Sequence, residues 1–338
     1  MFKYIVKSIW LLIFTIVICC VIYPAVLWGI GQTVFPFQAN GSIVKGPNGA
    51  PVGSLLIAQP FTKDEYFQPR PSAASYDASA SSSSALAPSN YALRGRVAST
   101  LGPIVTYKGG AKNGEAVGPD IELWFQQDKF GGSALIVAQW ADLHNGMAQA
   151  WVTADPTHGA YVDEWAKSHA DVVAQFIKDN PDTPQPKAPD LAVVFFKSFS
   201  KDNPGKFPMP VTKTTADGKS TTAIEPVKEG SDIRSNFFDM WRQDNAEVAL
   251  QDVPGDFVTT SGSGLDPHIT LDNAMFQLDR VSGKWAADSK RDAAEVRKEI
   301  EGLLQENASA PFGGLAGEKI INVLQVNLEL TKKYGPPS

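Results

Sequence analysis

The sequence is poor in the residues that build reactive sites. Its 338 residues include two cysteines and four histidines. Cys19 and Cys20 are adjacent within one apolar run, and neighbouring residues on a helix point in different directions. No disulfide is therefore expected, and the rest of the chain must fold on its core alone. His144, His158, His169 and His268 never fall at a His-x3-His spacing, which argues against a zinc site and predicts no metal. A G-x-S-x-G nucleophile elbow is missing. Basic residues are in deficit, 30 Lys and Arg against 36 Asp and Glu, for a formal net charge of -6 and a pI near 5.3. Without a basic patch, nucleic acid is not an expected partner.

Charge disappears altogether from residues 8–30, SIWLLIFTIVICCVIYPAVLWGI. Twenty-three helical residues rise about 34 Å, enough to cross a hydrocarbon core of about 30 Å. A cleaved signal peptide has a shorter apolar region and a small-x-small site, which Gly29-Ile30-Gly31 imitates poorly. Ile18 before Cys19 argues against a lipoprotein signal. Residues 1–7 carry Lys3 and Lys7, whereas the next charge after the span is Lys45. The positive-inside rule then predicts a single-pass protein of the cell (inner) membrane, with residues 1–7 in the cytoplasm and the chain from about residue 31 outside. Pro24 frees a carbonyl that only neighbouring protein could satisfy in lipid, so a helix kink and partner-helix packing at Tyr23 and Pro24 are expected. An uncharged span supplies no proton relay or ion site.

Beyond the anchor there is length for two exported domains. Phe35 and Phe37 are placed as an interfacial belt would be. Residues 42–44 and 53–58 predict a hairpin across GPNGAPVG. Residues 59–72 read as an ordered loop, and the Ser/Ala-rich residues 75–90 as a flexible linker by composition. Residues 93–101 suggest a short helix. Residues 102–252 hold Trp124, Trp140, Trp151, Trp165 and Trp241, core-building material. There, 121–125, 133–140 and 190–199 read as strands, and 156–179 as a helix capped by Asp155. Residues 201–228 read as a polar connection. Residues 256–260 suggest a strand, while helices are expected from residue 271 and over 291–304. The tail, 320–333, has both helical and alternating character; Lys332 and Lys333 favour a helix, since they suit its negative end.

Other candidates have ordinary explanations. Asp217-Gly218-Lys219-Ser220 looks like the end of a phosphate loop, but Lys213 stands where the first glycine should be, so a solvated hairpin turn is expected. Gly262 and Gly264 are half of a dinucleotide fingerprint and suit a tight turn instead. The pairs Asp64-Glu65 and Asp163-Glu164 are expected on solvated faces, and His169 as a packed histidine on the apolar face of its helix.

Seven segments, in order and spacing, resemble the C subunit family of the Kdp potassium-transporting P-type ATPase. They are a single N-terminal span with Tyr23-Pro24; FPFQANGSI at 35–43, with Gln38, Asn40, Gly41 and Ser42; GSLLIAQPFT at 53–62, with Gly53, Ser54, Gln59 and Phe61; YFQPRPSAA at 66–74, with Tyr66, Phe67, Arg70, Pro71 and Ser72; LAPSN at 86–90, with Ser89 and Asn90; SGSGLDPHIT at 261–270, with Ser261, Gly262, Ser263, Gly264, Leu265, Asp266 and His268; and INVLQVNLEL at 321–330, with Asn322 and Asn327. Two stretches depart from the family, SSSSAL at 81–86 and LDRVSGK at 278–284.

The resemblance implies an α/β (α+β) exported domain, residues 31–101 plus 253–338, interrupted by an inserted Trp-rich α+β domain at 102–252 whose role is not inherited. It also implies contact or ligand roles for the named motif residues. It further implies an accessory, non-catalytic subunit of an ATP-driven potassium uptake complex, with three partners: a channel-like potassium subunit, a P-type ATP-hydrolysing subunit and a small single-span subunit. The family role as a catalytic chaperone for ATP binding conflicts with the topology, which puts the motifs across the membrane from cytoplasmic ATP; no cofactor is expected on this chain, and ATP only through the partner. The resemblance also turns the Ser/Ala stretch into an ordered contact loop. The alternative is an anchored extracytoplasmic hydrolase or ligand-binding module housed in residues 102–252.

Overall fold

The computed structural model describes residues 2–46, 49–87, 89–129, 135–214, 220–315 and 317–336. An apolar rod comes first, α1 (Phe2–Ile16), a π-helical turn (Val17–Ile22) and α2 (Tyr23–Val34), followed by α3 (Pro36–Ala39), β1 (Ile43–Lys45) and β2 (Pro51–Ser54). Then come α4 (Tyr91–Leu101), α5 (Gly118–Gln127), α6 (Ile136–Leu143), α7 (Asn145–Ala154), α8 (Pro156–Ser168), α9 (Ala170–Asp179), α10 (Ala192–Asp202), β3 (Phe207–Thr214), β4 (Ser220–Val227) and α11 (Ser231–Asp244). The chain closes with α12 (Gly255–Val258), β5 (His268–Thr270), α13 (Leu271–Ser289), α14 (Ala293–Asn307), β6 (Ile320–Asn322) and α15 (Val323–Tyr334). Helix and strand are thus mixed, the strands among the described residues forming three two-stranded antiparallel sheets.

The rod Phe2–Val34 is long and apolar enough to cross a membrane, and none of its most apolar window is buried against the rest of the chain. Its π turn directly precedes Pro24, with Tyr23 N–H donating to Ile18 O five residues back. The wider winding accommodates the hydrogen bond that proline cannot make, and such a turn is one of the recognised causes of a helix kink.

The chain divides into two compact units, residues 1–84 with 254–338 and residues 85–253. In the first, α13, α14, α15 and β6 enclose a core of Phe67, Ile269, Leu278, Val281, Trp285, Val296, Ile300, Leu304, Ile321, Val326 and Leu330. Thr270 caps α13 by accepting from Asn273 N–H, Asp292 caps α14 through Glu295 N–H, and Asn322 caps α15 through Gln325 N–H. Each side chain satisfies a donor the first helical turn leaves free. The tail is both things at once: 320–322 pair with β5, and the helix begins at Val323.

The second unit is mostly helical around Trp140, which meets Phe196 and Phe207 edge-to-face, with ring centroids 5.0 and 5.4 Å away, and Phe237 at 5.8 Å. Here several expectations fail. Residues 121–125, 136–140 of the expected strand 133–140, and 192–199 of the expected strand 190–199 lie in α5, α6 and α10, not in strands. Short apolar runs look alike in buried helices and buried strands, and most of these residues are buried, with Leu123 an exposed exception. The expected helix 156–179 keeps its Asp155 cap, whose carboxylate accepts from Thr157 N–H, but breaks at His169 into α8 and α9. Within what reads as a connection, Phe207–Thr214 and Ser220–Val227 pair antiparallel as β3 and β4, strands hidden by prolines at 208, 210 and 226. The residues Asp217, Gly218 and Lys219 lie outside the described residues. In the first unit, 255–258 is a helical turn where a strand was expected.

Candidate functional site

The motif segments of the first unit converge on one stretch of irregular backbone, residues 61–84. Irregular chain in a protein interior is tolerated only if its amide groups find partners, and here side chains supply them. Asn327, buried on α15, accepts from Phe67 N–H and donates to Phe67 O, both at 2.9 Å. Gln277, buried on α13, does the same for Gln68, accepting from its N–H at 2.8 Å and donating to its carbonyl at 3.1 Å. Two amide side chains thereby pair consecutive residues as a neighbouring strand would. Upstream, Arg280 donates to Asp64 O and Tyr66 O, and Trp285 Nε1–H to Glu65 O at 2.7 Å. Burial pulls the Arg280 guanidinium below its ordinary range, while Asp64 and Glu65 push the other way. Glu65 itself is buried, with Lys284 Nζ 3.7 Å from its carboxylate, which corrects the expectation of a solvated pair; Asp64 is exposed.

Downstream, the glycine-rich loop 261–266 closes on the same stretch. Ser72 Oγ donates to Gly264 O at 2.5 Å and accepts from Ala74 and Tyr76 N–H. Arg70 reaches Thr260 O, and its Nε is buried without a partner. Pro71 O accepts from Ser261 N–H. Gly264 sits at φ +71°, and a Cβ there would stand 2.7 Å from Ser82 O. Ser263 O accepts from Ser82 N–H and Ser81 Oγ, and Thr260 donates to Ser84 Oγ. The Ser/Ala stretch up to 84 is therefore tied to this loop by hydrogen bonds, not the flexible linker its composition suggests. Asp266 accepts from both the backbone and Nδ1 of His268; that hydrogen bond holds its carboxyl below the ordinary value against the opposing pull of burial.

A third cluster follows the rod. Ser54 Oγ donates to Gly41 O, Ser42 is buried, and Asn322 donates to Leu55 O. Gly53 is hemmed in, since a Cβ would collide with Gln59 Oε1 and stand 2.8 Å from Leu324 Cδ2. Ile43, Gly53, Ser54, Gln59 and Tyr76 line a cavity of about 310 Å³. Leu265 O accepts from Ala58 N–H, joining this cluster to the glycine loop. Phe61 stacks edge-to-face on Tyr66 at 5.3 Å, and Tyr66 Oη lies 3.3 Å from Thr331 Oγ1.

Some motif residues stay apart. Gln38 is exposed on α3, Asn40 donates back to Pro36 O and Gln32 Oε1, and Gly262 faces open space. Tyr23 and Pro24 are on the rod, and Ser89 and Asn90 belong to the second unit. Sequence reasoning missed Gln277, Asn273, Arg280 and Trp285. The available sign was Asn273 and Gln277, two amides four apart on the apolar face of α13, bonded to each other at 2.8 Å. Among the described residues, no group of three His, Cys, Asp or Glu is placed to hold a metal ion. What the arrangement does is fix a shaped loop surface on a helical base.

The family model described as KdpC, K+-transporting ATPase, c chain, matches residues 5–121 and 214–332. The KdpC subunit of Caulobacter sp. (strain K31) is 59% identical over 70 residues, 20% of this chain and 36% of that protein; the one from Pseudomonas putida (strain W619) is 46% identical over 95 residues, 28% and 52%. The aligned part thus spans about a third to a half of those relatives. The KdpC subunit of Clostridium kluyveri is 23% identical over 99% of this chain and 96% of its own length, so the region between the two matched segments has a counterpart there. The family match covers most of the chain on both sides of its interruption, and the chain belongs to the KdpC family, the c chain of the K+-transporting ATPase.

Proposed function

We propose that this chain is the accessory, non-catalytic subunit of an ATP-driven potassium uptake complex, holding a channel-like subunit and a P-type ATP-hydrolysing subunit together, beside a small single-span subunit. The observation that carries the reading is the use made of the family motifs: Asn327, Ser72 and Gly264 spend their polar groups and conformational freedom on shaping the loop surface 61–84 and 260–266, not on assembling a nucleophile or a cofactor cradle. A rigid shaped surface suits docking. In the proposed topology the rod crosses the inner membrane with its basic end in the cytoplasm and packs on partner helices around the π turn and Pro24. The motif loops then lie outside, over the potassium entrance, away from ATP. Residues 102–252 are proposed as an insertion into the family domain, with 122–213 the part that the family match skips.

The test is topological. A cysteine at Gln305, an exposed position on α14 away from the proposed docking loops, in a chain lacking Cys19 and Cys20, is expected to react with a membrane-impermeant maleimide in intact cells whose outer membrane has been permeabilised. Protection there, with labelling only after lysis, would refute the orientation. Photoaffinity ATP attaching to Gln59 or Ser263 in the assembled complex would instead favour the nucleotide-chaperone role.

A further inference from the structure

From a cavity in the second unit we infer that this unit binds a small organic monocarboxylate with an apolar body. The cavity, about 680 Å³, lies among α4, α7, α8 and α11, with Arg96, Met147, Ala150, Trp151, His158 and Asp232 in its wall. Gly95 lets α4 approach α7, since a Cβ there would come within 2.9 Å of Met147 Sδ. This brings the next residue, Arg96, to the cavity. The other three arginines of the unit are engaged: Arg94 with Asp239, Arg234 with Glu122, and Arg242 with the carbonyls of Asn245 and Val248. Arg96 is half-buried, its Nε is covered and unpaired, and its guanidinium has no hydrogen-bond or ion-pair partner among the described residues. Only the Nε–H is buried unpaired, at a cost; a guanidinium in a cavity wall with no protein acceptor matches a carboxylate's two oxygens.

The rest of the wall selects the ligand. Trp151 and His158 stack in parallel with ring centroids 4.0 Å apart, and each keeps a buried ring nitrogen without a partner, Nε1 and Nε2. His158 Nδ1 lies 2.7 Å from Trp151 O, a carbonyl, so it must donate and Nε2 is left as the acceptor in the neutral ring. Leu143, Met147, Ala150 and Ala154 make the remaining surface apolar. His144 also lines the cavity; burial lowers its pKa, with Asp239 pulling the other way, so it adds no cation at neutral pH. With one cation and the Asp232 carboxylate in the same wall, a singly charged head is accepted and a phosphate dianion is not.

The probe is benzoate, titrated calorimetrically into the full-length chain in detergent, with benzyl alcohol and inorganic phosphate as controls. Saturable millimolar or tighter binding is expected for benzoate only. Arg96→Gln should weaken it at least tenfold, about 1.4 kcal/mol. Ala150→Phe, at an exposed helix position, should abolish it by filling the cavity, which keeps the test valid if Arg96→Gln unfolds the unit; far-UV circular dichroism reports that. Absence of saturation by benzoate, stronger binding of phosphate, or unchanged benzoate affinity in the folded variants would each overturn the inference. It stands independently of the proposed place in the potassium complex.

Discussion

Asn327→Ala is the sharpest test of how the motif loop is held. The substitution removes two hydrogen bonds of 2.9 Å and strands Phe67 N–H and C=O in a site where Phe67 is fully buried. Each unsatisfied buried group costs about 1–3 kcal/mol, so the intact loop loses roughly 2–6 kcal/mol. The chain could escape by letting the loop go, but that surrenders the Phe67 ring, for which large-to-small core changes suggest roughly 3–5 kcal/mol. The two figures overlap, so the loop is expected to open frequently without the whole unit melting. Hydrogen exchange of peptides covering residues 64–72 is the assay. The expected result is loss of protection confined to these residues and to the contacting 261–266, with α13 and α14 still protected. Unchanged protection at 67 and 68 would refute the clamp; equal loss across the helices would refute its local character.

Further expectations follow from the same contacts. Gly264→Ala should push residues 80–84 off the glycine loop, because its Cβ meets Ser82 O at 2.7 Å on a backbone of positive φ; limited proteolysis between 74 and 84 should accelerate. Trp140→Ala should cost the second unit roughly 3–5 kcal/mol, since the ring is fully buried among three phenylalanines, read by chemical denaturation. Glu299 accepts from Arg291, Tyr334 and Lys333, and the Arg291 hydrogen bond, then those from Tyr334 and Lys333, lower its pKa from 4.5 to about 2. A depressed carboxyl stabilises fully above about pH 4.5 and loses that contribution as pH falls towards about 2. Glu299→Gln should flatten the stability profile in that window, and an unaltered acid limb would count against the assignment.

How much of this was legible in the sequence varies by element. The rod was readable because twenty-three uncharged residues, nearly all apolar, admit few alternatives, although the π turn before Pro24 was not, since it depends on which carbonyls the backbone amides choose and not on any side-chain pattern. Helices α13 and α15 announced themselves through apolar spacing and terminal charge. The helices α5, α6 and α10 did not, because short runs such as LAVVFF are continuously apolar and show no helical period, although Val193 and Val194 are only partly buried. Glu65 misled for a related reason: a carboxylate pair reads as surface until the fold shows Trp285 and Lys284 over it. The motif residues were visible as patterns, yet their use was not. Asn327 and Gln277 grip backbone more than 200 positions away in the chain, and no local period records such a partner.

The central claim, that this KdpC-family chain holds a potassium-pumping ATPase together, is tested most directly by affinity purification of the tagged full-length chain from native membranes. The expected outcome is co-elution of a subunit carrying the P-type phosphorylation motif, together with potassium-stimulated ATP hydrolysis that is lost when this chain is deleted. Elution of the chain alone, with hydrolysis and potassium uptake intact in the deletion, would contradict it.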